Sequence, residues 1–142
     1  MRSPQSSKRR NCARHRCQHR RDGSSPLASE DRSSSPLVVG EVARQLTWSD
    51  TEASMFHWRD RDGAEVDIVL ERPNGDVVGT EVKASFDLHA GDSKGLRALR
   101  DRLGPTFVTG IVLYCGDRVQ RLDDRILAMP ISALWSPRSR SR

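Results

Sequence analysis

Residues 64–84, AEVDIVLERPNGDVVGTEVKA, decide the fold, because they hold two strand-like runs on either side of one turn. The runs Ala64–Glu71 and Asp76–Ala84 are rich in β-branched residues, which is typical of strands. The Pro-Asn-Gly sequence between them suits a type I turn followed by a G1 bulge, with Gly75 in the left-handed position. The stretch therefore predicts an antiparallel hairpin with a three-residue loop.

The length of this loop sets the register of the hairpin. A three-residue loop pairs Arg72 with Asp76, and Asp67 then lies opposite Glu81. A two-residue loop would pair Asp67 with Val82 and send the two acids to opposite faces of the sheet. The turn chemistry favours the three-residue loop, so we expect the two carboxylates to face each other.

Alternation along a strand assigns each side chain to a face of the sheet. In the first strand it puts Asp67 on one face and the apolar Val66 and Ile68 together on the other. In the second strand it puts Glu81 and Lys83 on a common face, two residues apart. Asp67, Glu81 and Lys83 are therefore expected to meet on one surface of the hairpin.

The facing carboxylates of Asp67 and Glu81 predict a metal site. Two such groups in the middle of a sheet are destabilising unless something compensates, and Mg²⁺ prefers hard oxygen ligands of this kind. Lys83 could orient an attacking water and balance the charge that develops on a phosphate. The three residues are thus candidate catalytic groups for metal-assisted phosphodiester cleavage. An ordinary strand surface is the alternative, since E-x-K spacings arise by chance in many chains.

The segments around the hairpin predict an α-β-β-β-α-β order. Asp92 or Ser93 can cap the second helix. In chain order the predicted elements are a helix (Leu37–Leu46), a strand (Met55–Asp60), the two hairpin strands, a helix with a stripe of Leu96, Leu99 and Leu103, a buried strand (Thr106–Tyr114) and two short edge strands (Arg118–Leu122 and Ile126–Met129). This order predicts an α/β fold in which helices flank a mixed sheet.

Charge is unevenly divided along the chain of 142 residues, whose net charge is +5. Residues 1–36 hold nine basic and three acidic residues, residues 37–135 hold 12 and 16, and residues 136–142 hold three and none. The surplus positive charge therefore belongs to the ends, and the region of the predicted fold carries −4. Tight unaided binding of duplex nucleic acid is not expected of such a region, because phosphate contacts supply most of that affinity.

The composition predicts one domain, residues 37–135, between two disordered ends. Residues 1–36 and 136–142 are rich in Arg and Ser and have too few apolar residues to form a core. No apolar run approaches the ~20 residues of a membrane-spanning helix, and no secretory signal follows the N-terminal arginines. Three cysteines at no disulfide-framework spacing suit a reducing compartment, so we expect a cytoplasmic protein without a membrane partner.

Four motifs in order resemble one known family: HWRDRDGAEVDIVLE (57–71), GTEVKAS (79–85), GIVLYCG (110–116) and PISALW (130–135). It is the uncharacterised C-terminal domain of prokaryotic AAA-type ATP-binding proteins, which is similar to the PD-(D/E)xK restriction-endonuclease-like superfamily. The resemblance implies a restriction-endonuclease-like core in which Asp67, Glu81 and Lys83 occupy the superfamily's catalytic positions.

The chain departs from that family in two respects. It has no G-x-x-x-x-G-K-[ST] loop, so ATP hydrolysis is not expected of this polypeptide, and an AAA-type ATPase is instead a candidate partner. The family's opening helix usually starts with an acidic residue that is absent here, which leaves Glu41 as a further candidate metal ligand. The abrupt change of composition at Pro36 also predicts a truncated or shifted reading frame, with residues 1–36 foreign to the domain.

The sequence supports two functional hypotheses. The first is a Mg²⁺-dependent, nuclease-like domain that acts on nucleic acid. The second is a catalytically silent interaction or regulatory module paired with an ATPase, and a gene remnant without function is a third reading.

Overall fold

The computed structural model describes residues 35–136, and the predictions of disorder for residues 1–34 and 137–142 lie outside the described residues. The observed elements follow the predicted order. They are α1 (Ser35–Thr47), β1 (Ser54–Arg59), β2 (Glu65–Glu71), β3 (Val77–Lys83), α2 (Lys94–Leu103), β4 (Phe107–Tyr114), β5 (Gln120–Asp123) and β6 (Ile126–Pro130), with 3-10 turns at Gly104–Thr106 and Ile131–Trp135. No helix of residues 35–136 is long and apolar enough to cross a membrane.

Helix α1 begins earlier than its apolar pattern predicts. It starts at Ser35, two residues before the expected Leu37. Pro36 lies in the first turn, where a proline's missing N–H costs no intrahelical hydrogen bond. Ser35 and Pro36 therefore belong to the helix, although their composition resembles that of the preceding residues.

The six strands form one mixed sheet in the order β1-β2-β3-β4-β6-β5. β3, β4 and β6 are parallel, and the pairs β1-β2, β2-β3 and β5-β6 are antiparallel. This sheet and its two helices confirm the predicted α/β class. The prediction that Ile126–Met129 is an edge strand is wrong, because β6 lies between β4 and β5, with Ile126 and Ala128 fully buried.

The hairpin of β2 and β3 has the predicted turn. The N–H of Arg72 donates to the Asp76 carbonyl (2.9 Å), the N–H of Gly75 donates to the Arg72 carbonyl (2.9 Å), and Gly75 has a φ of 90°. The paired residues run from Glu71 and Val77 to Ile68 and Thr80. These pairs have the register that the three-residue loop predicts, and they end one residue before Asp67 and Glu81.

Strand β2 does not alternate strictly, and the prediction that Val66 shares a face with Ile68 is wrong. Phe56 of β1 pairs with Val69, but Trp58 pairs with Val66. Two residues of β2, at positions 67 and 68, therefore oppose one residue of β1, which is a β-bulge. Because of the bulge, Val66 packs in the same cluster as Val69, while Ile68 packs in the other.

Each face of the sheet carries a helix and a hydrophobic cluster. On the α2 face, ten buried residues form one cluster, which includes Leu96, Leu99 and Phe107. On the α1 face, the cluster has four buried residues, Val38, Ile68, Val82 and Leu113. The α2 face is therefore the more completely packed of the two.

Candidate functional site

The predicted site lies where β2 and β3 meet the start of α2. Glu81 is 6% exposed, and its Oε1 accepts a hydrogen bond from the N–H of Leu96 at 3.0 Å. Leu96 is the third residue of α2, so this N–H has no partner within the helix. Glu81 of β3 thus caps α2 from the sheet.

The cap predicted from the sequence is not the one that forms. Ser93 occupies the N-cap position, but its side chain makes no capping hydrogen bond. Asp92 accepts a hydrogen bond from the N–H of His89 (2.6 Å) within the preceding loop. The carboxylate of Glu81 replaces both side chains because the sheet brings it to the helix end.

Gly95 permits this close approach, and sequence reasoning missed it. A Cβ at position 95 would lie 2.5 Å from Glu81 Oε1 and would overlap the backbone carbonyl oxygen of Glu65. Only glycine fits between the helix and the two strands in this arrangement. The signal that could have revealed this contact is a glycine in the first turn of a helix, because glycine there lowers helix propensity and so needs another reason.

Asp67 reaches β3 beside Glu81. Its Oδ2 accepts a hydrogen bond from the N–H of Val82, the residue after Glu81, at 2.8 Å. The last backbone pair of the ladder is Ile68 with Thr80, so the Asp67 side chain takes over where backbone pairing stops. The bulge in β2 therefore coincides with a carboxylate bound to the neighbouring strand.

Burial and several neighbouring groups change the pKa of Glu81. The pKa of Glu81 is raised to about 7, chiefly by burial; the charge of Lys83 and the hydrogen bond from the Leu96 N–H oppose this rise, and the charges of Asp67 and Asp92 add to it. The structure thus brings the three predicted residues, Asp67, Glu81 and Lys83, into one electrostatic cluster and adds Asp92 to it. A cation bound near this cluster would favour the ionised form of Glu81.

The structure does not bring Glu41 to this cluster. Glu41 lies on α1, which packs against the opposite face of the sheet from α2. Its carboxylate accepts hydrogen bonds from Arg44 (2.7 Å) and Gln45 (2.8 Å), and the hydrogen bond from Arg44 lowers its pKa. Glu41 therefore lies apart from Asp67 and Glu81, on the helix that covers the other face of the sheet.

The donor set at the cluster suits one kind of metal site. Within residues 35–136, no group of three or more His, Cys, Asp or Glu side chains could hold a metal ion. Asp67 and Glu81 offer two carboxylates, each oriented by a backbone N–H. Mg²⁺ is commonly held by one or two carboxylates, with waters and substrate phosphates as its other ligands. Asp67 and Glu81 could therefore supply the carboxylates of a Mg²⁺ site of this open type.

An apolar cavity on the α1 face was not predicted from the sequence. It has a volume of about 660 Å³ and lies between α1, the sheet and the C-terminal 3-10 turn. Trp48 at its edge is 81% exposed. The apolar side chains that line it include Val42, Leu46, Leu70, Ile111, Leu113 and Leu134. We call this feature the α1-face cavity.

One family model matches residues 36–134, a domain of unknown function named DUF4143. The chain belongs to the DUF4143 family. No match was found among curated proteins or among solved structures. Family membership confirms an uncharacterised domain and assigns neither an activity nor a partner to it.

Proposed function

We propose that this DUF4143 domain is a Mg²⁺-dependent, nuclease-like phosphodiesterase. The observation that carries the proposal is the buried carboxylate of Glu81, which lies beside Asp67 and Lys83. A glutamine would accept the same hydrogen bond from Leu96 without the cost of burying a charge. An ionisable group kept at a costly position, with its pKa displaced toward neutrality, is typical of functional sites.

Each residue of the cluster has a distinct role in this proposal. Asp67 and Glu81 would hold Mg²⁺ through their carboxylate oxygens, and the N–H groups of Val82 and Leu96 orient the two carboxylates. The metal would neutralise charge on the phosphate and lower the pKa of a water. Lys83 would hold the attacking water in place and donate to the phosphate as negative charge develops.

The relation to the PD-(D/E)xK superfamily is part of the proposal. Three features support it: the spacing Asp67-x13-Glu81-x-Lys83, the hairpin that carries all three residues, and the crossover through α2 to a parallel strand. Nucleic acid is the substrate that this relation favours. The acidic charge of the domain means that contacts near the site, rather than bulk charge, would have to hold such a substrate.

Cleavage assays with the purified full chain test this function. We expect Mg²⁺-dependent cleavage of plasmid or oligonucleotide, and a rate about 100-fold lower for Lys83→Ala, since one electrostatic donor is worth about that much. Arg102→Ala is the matched control, because Arg102 is an exposed cation at the far end of α2 that pairs with no acid among residues 35–136. Identical products and rates for wild type and Lys83→Ala would refute the proposed enzymatic activity.

Calorimetry tests the metal separately from the reaction. Titration of Mg²⁺ into the protein should release or absorb heat at millimolar metal, and Asp67→Asn should abolish this signal. The absence of heat for the wild type would count against the metal site, whatever the cleavage assay shows.

A second candidate function is the binding of a partner protein, for which an AAA-type ATPase of the same genome is the candidate. The α1-face cavity favours it, because an apolar recess of about 660 Å³ beside an exposed tryptophan can accept apolar side chains of a partner. Co-purification with that ATPase should be lost in Trp48→Ser and retained in Lys83→Ala. If the ATPase co-purifies with both variants, the cavity does not take part in the interaction.

A further inference from the structure

The α1-face cavity has the size and the lining of a small-molecule site. Its volume of about 660 Å³ lies within the range of ~300–1,000 Å³ that is typical of ligand pockets, whose walls are mostly apolar with a few polar groups. The sheet forms its floor, through Leu70, Val78, Thr80, Ile111, Leu113 and Met129. α1 and the C-terminal 3-10 turn form its walls, and the Gln45 side chain joins them by donating a hydrogen bond to the Leu134 carbonyl (2.7 Å).

Thr80 places a hydroxyl in this apolar floor. The residue is 8% exposed, and it lines the cavity from the centre of β3. Thr47, Thr106 and Thr109 each donate through the side chain to a backbone carbonyl, at 2.7, 3.0 and 3.1 Å. The hydroxyl of Thr80 has no hydrogen-bond partner among residues 35–136. A buried hydroxyl without a partner destabilises the fold, and a ligand that bonds to it would remove this cost.

A single bound water would be poorly held at this hydroxyl. A buried water needs about two to four polar partners. The side chains around Thr80 on this face of the sheet are all apolar: its strand neighbours Val78 and Val82, and its cross-strand partners Ile68 and Ile111. A larger molecule can contact these apolar side chains and bond to the hydroxyl at the same time.

The lining of the cavity favours an uncharged ligand. Among residues 35–136, Arg44 is the only charged residue that lines it. The guanidinium of Arg44 is already bound to Glu41, whose carboxylate accepts hydrogen bonds from Nε (3.0 Å) and Nη2 (2.7 Å). A charged group at the floor would lose its hydration without gaining an opposite charge.

We propose that the α1-face cavity binds a small uncharged molecule with an apolar body and one hydroxyl or carbonyl oxygen, which bonds to the Thr80 hydroxyl. The apolar body lies on the floor of the sheet, and the exposed Trp48 stands at the edge of the site. The cavity and Glu81 lie on opposite faces of the sheet, so this inference is independent of the proposed nuclease. It assigns the cavity to a small molecule rather than to side chains of a partner protein.

Titration calorimetry of the full chain tests this site with three probes of the same carbon number: n-octanol, methyl hexyl ketone and octanoate. We expect saturable binding of the alcohol or the ketone, whichever matches the Thr80 hydroxyl better, and binding of octanoate at least about tenfold weaker because of its charge. Thr80→Val keeps the shape of the floor and should weaken the better neutral probe about fivefold, through the loss of one neutral hydrogen bond.

Two further kinds of variant locate the binding. Ala133→Trp and Leu46→Trp fill the cavity from the 3-10 turn and from α1, and each should abolish binding of the neutral probe. Thr106→Val is the matched control, because it removes a threonine hydroxyl that bonds to the Leu103 carbonyl away from the cavity, and it should leave the affinity unchanged.

Urea unfolding without any probe separates a lost ligand contact from a damaged fold. Thr80→Val should be at least as stable as the wild type, because its hydroxyl has no partner to lose. A less stable Thr80→Val would mean that the hydroxyl is bonded within the protein, which would overturn the inference. The inference would also be overturned if the wild type bound neither neutral probe, or if neither Thr80→Val nor Ala133→Trp changed the binding. Failure of the neutral probes together with loss of ATPase co-purification in Ala133→Trp would assign the cavity to a partner protein instead.

Discussion

The two faces of the sheet differ in how closely the helix packs against the strands. On the α2 face, ten buried residues form one cluster, and the helix approaches the strands so closely that only glycine fits at position 95. On the α1 face, four buried residues and an open cavity of about 660 Å³ lie beneath the helix. Close packing holds the Glu81 carboxylate on one backbone N–H, as the proposed catalytic site would need, whereas the α1 face leaves apolar surface open.

Two glycine-to-alanine substitutions should give the largest contrast between the faces. Gly95→Ala forces α2 away from the strands, because the new Cβ meets the Glu65 carbonyl oxygen, so we expect a loss of about 4 kcal/mol or more. Gly40→Ala in α1 meets no atom within 4 Å and should stabilise the protein by about 0.5–1 kcal/mol through helix propensity. Urea unfolding measures both, and similar values for the two variants would contradict the contrast.

Truncation of a leucine on each face should show a smaller difference of the same kind. Leu96→Ala removes a fully buried side chain from the α2 cluster and should cost about 3 kcal/mol. Leu46→Ala removes a partly exposed side chain from the edge of the α1-face cavity and should cost about 1 kcal/mol or less. The two free energies of unfolding are compared at the same pH. An equal cost would mean that the cavity is closed in solution.

Removal of the buried charge on the α2 face should stabilise the protein. The pKa of Glu81 is about 7 in the fold against an ordinary 4.5, so the folded state binds the proton more tightly than the unfolded chain. This contribution favours folding below pH 4.5 and is lost as the pH rises through 7. Glu81→Gln keeps an acceptor for the Leu96 N–H and should therefore gain about 2 kcal/mol at pH 8 and little near pH 4.5.

Unfolding of wild type and Glu81→Gln at the two pH values measures this gain. Leu46→Gln on the other face is the control, since it introduces the same amide without changing a titratable group. A gain that does not depend on pH would show that burial does not raise the pKa of Glu81. Millimolar Mg²⁺ should stabilise the wild type and not Glu81→Gln, because only a ligand that binds the native state shifts its stability.

The smallest effect is expected at the rim of the α1-face cavity. Trp48→Ala removes a side chain that is 81% exposed, so the free energy of unfolding should change by no more than about 0.5 kcal/mol. Thermal unfolding measures this change. A loss of 2 kcal/mol or more would mean that Trp48 closes the α1 face in solution.

The parts of the fold that local chemistry controls could be predicted from the sequence. The Pro-Asn-Gly turn specifies a three-residue loop by its backbone preferences alone, and the loop then sets the register that brings Asp67 and Glu81 to neighbouring positions on the two strands. The leucine stripe of α2 likewise marks the side of the helix that is buried. These features need only the conformations of a few neighbouring residues.

Contacts between distant segments decided the rest. The bulge at residues 67 and 68 depends on β1 as well as β2, and the inner place of β6 depends on parallel pairing with β4. The cap of α2 by Glu81 joins residues 15 apart and requires the close approach that Gly95 allows. The sequence alone thus determined the hairpin, the order of elements and the residues that meet on it. Only the tertiary structure decided how deeply Glu81 is buried and which face stays open, because burial and close approach arise from packing between elements rather than from the preferences of any one of them.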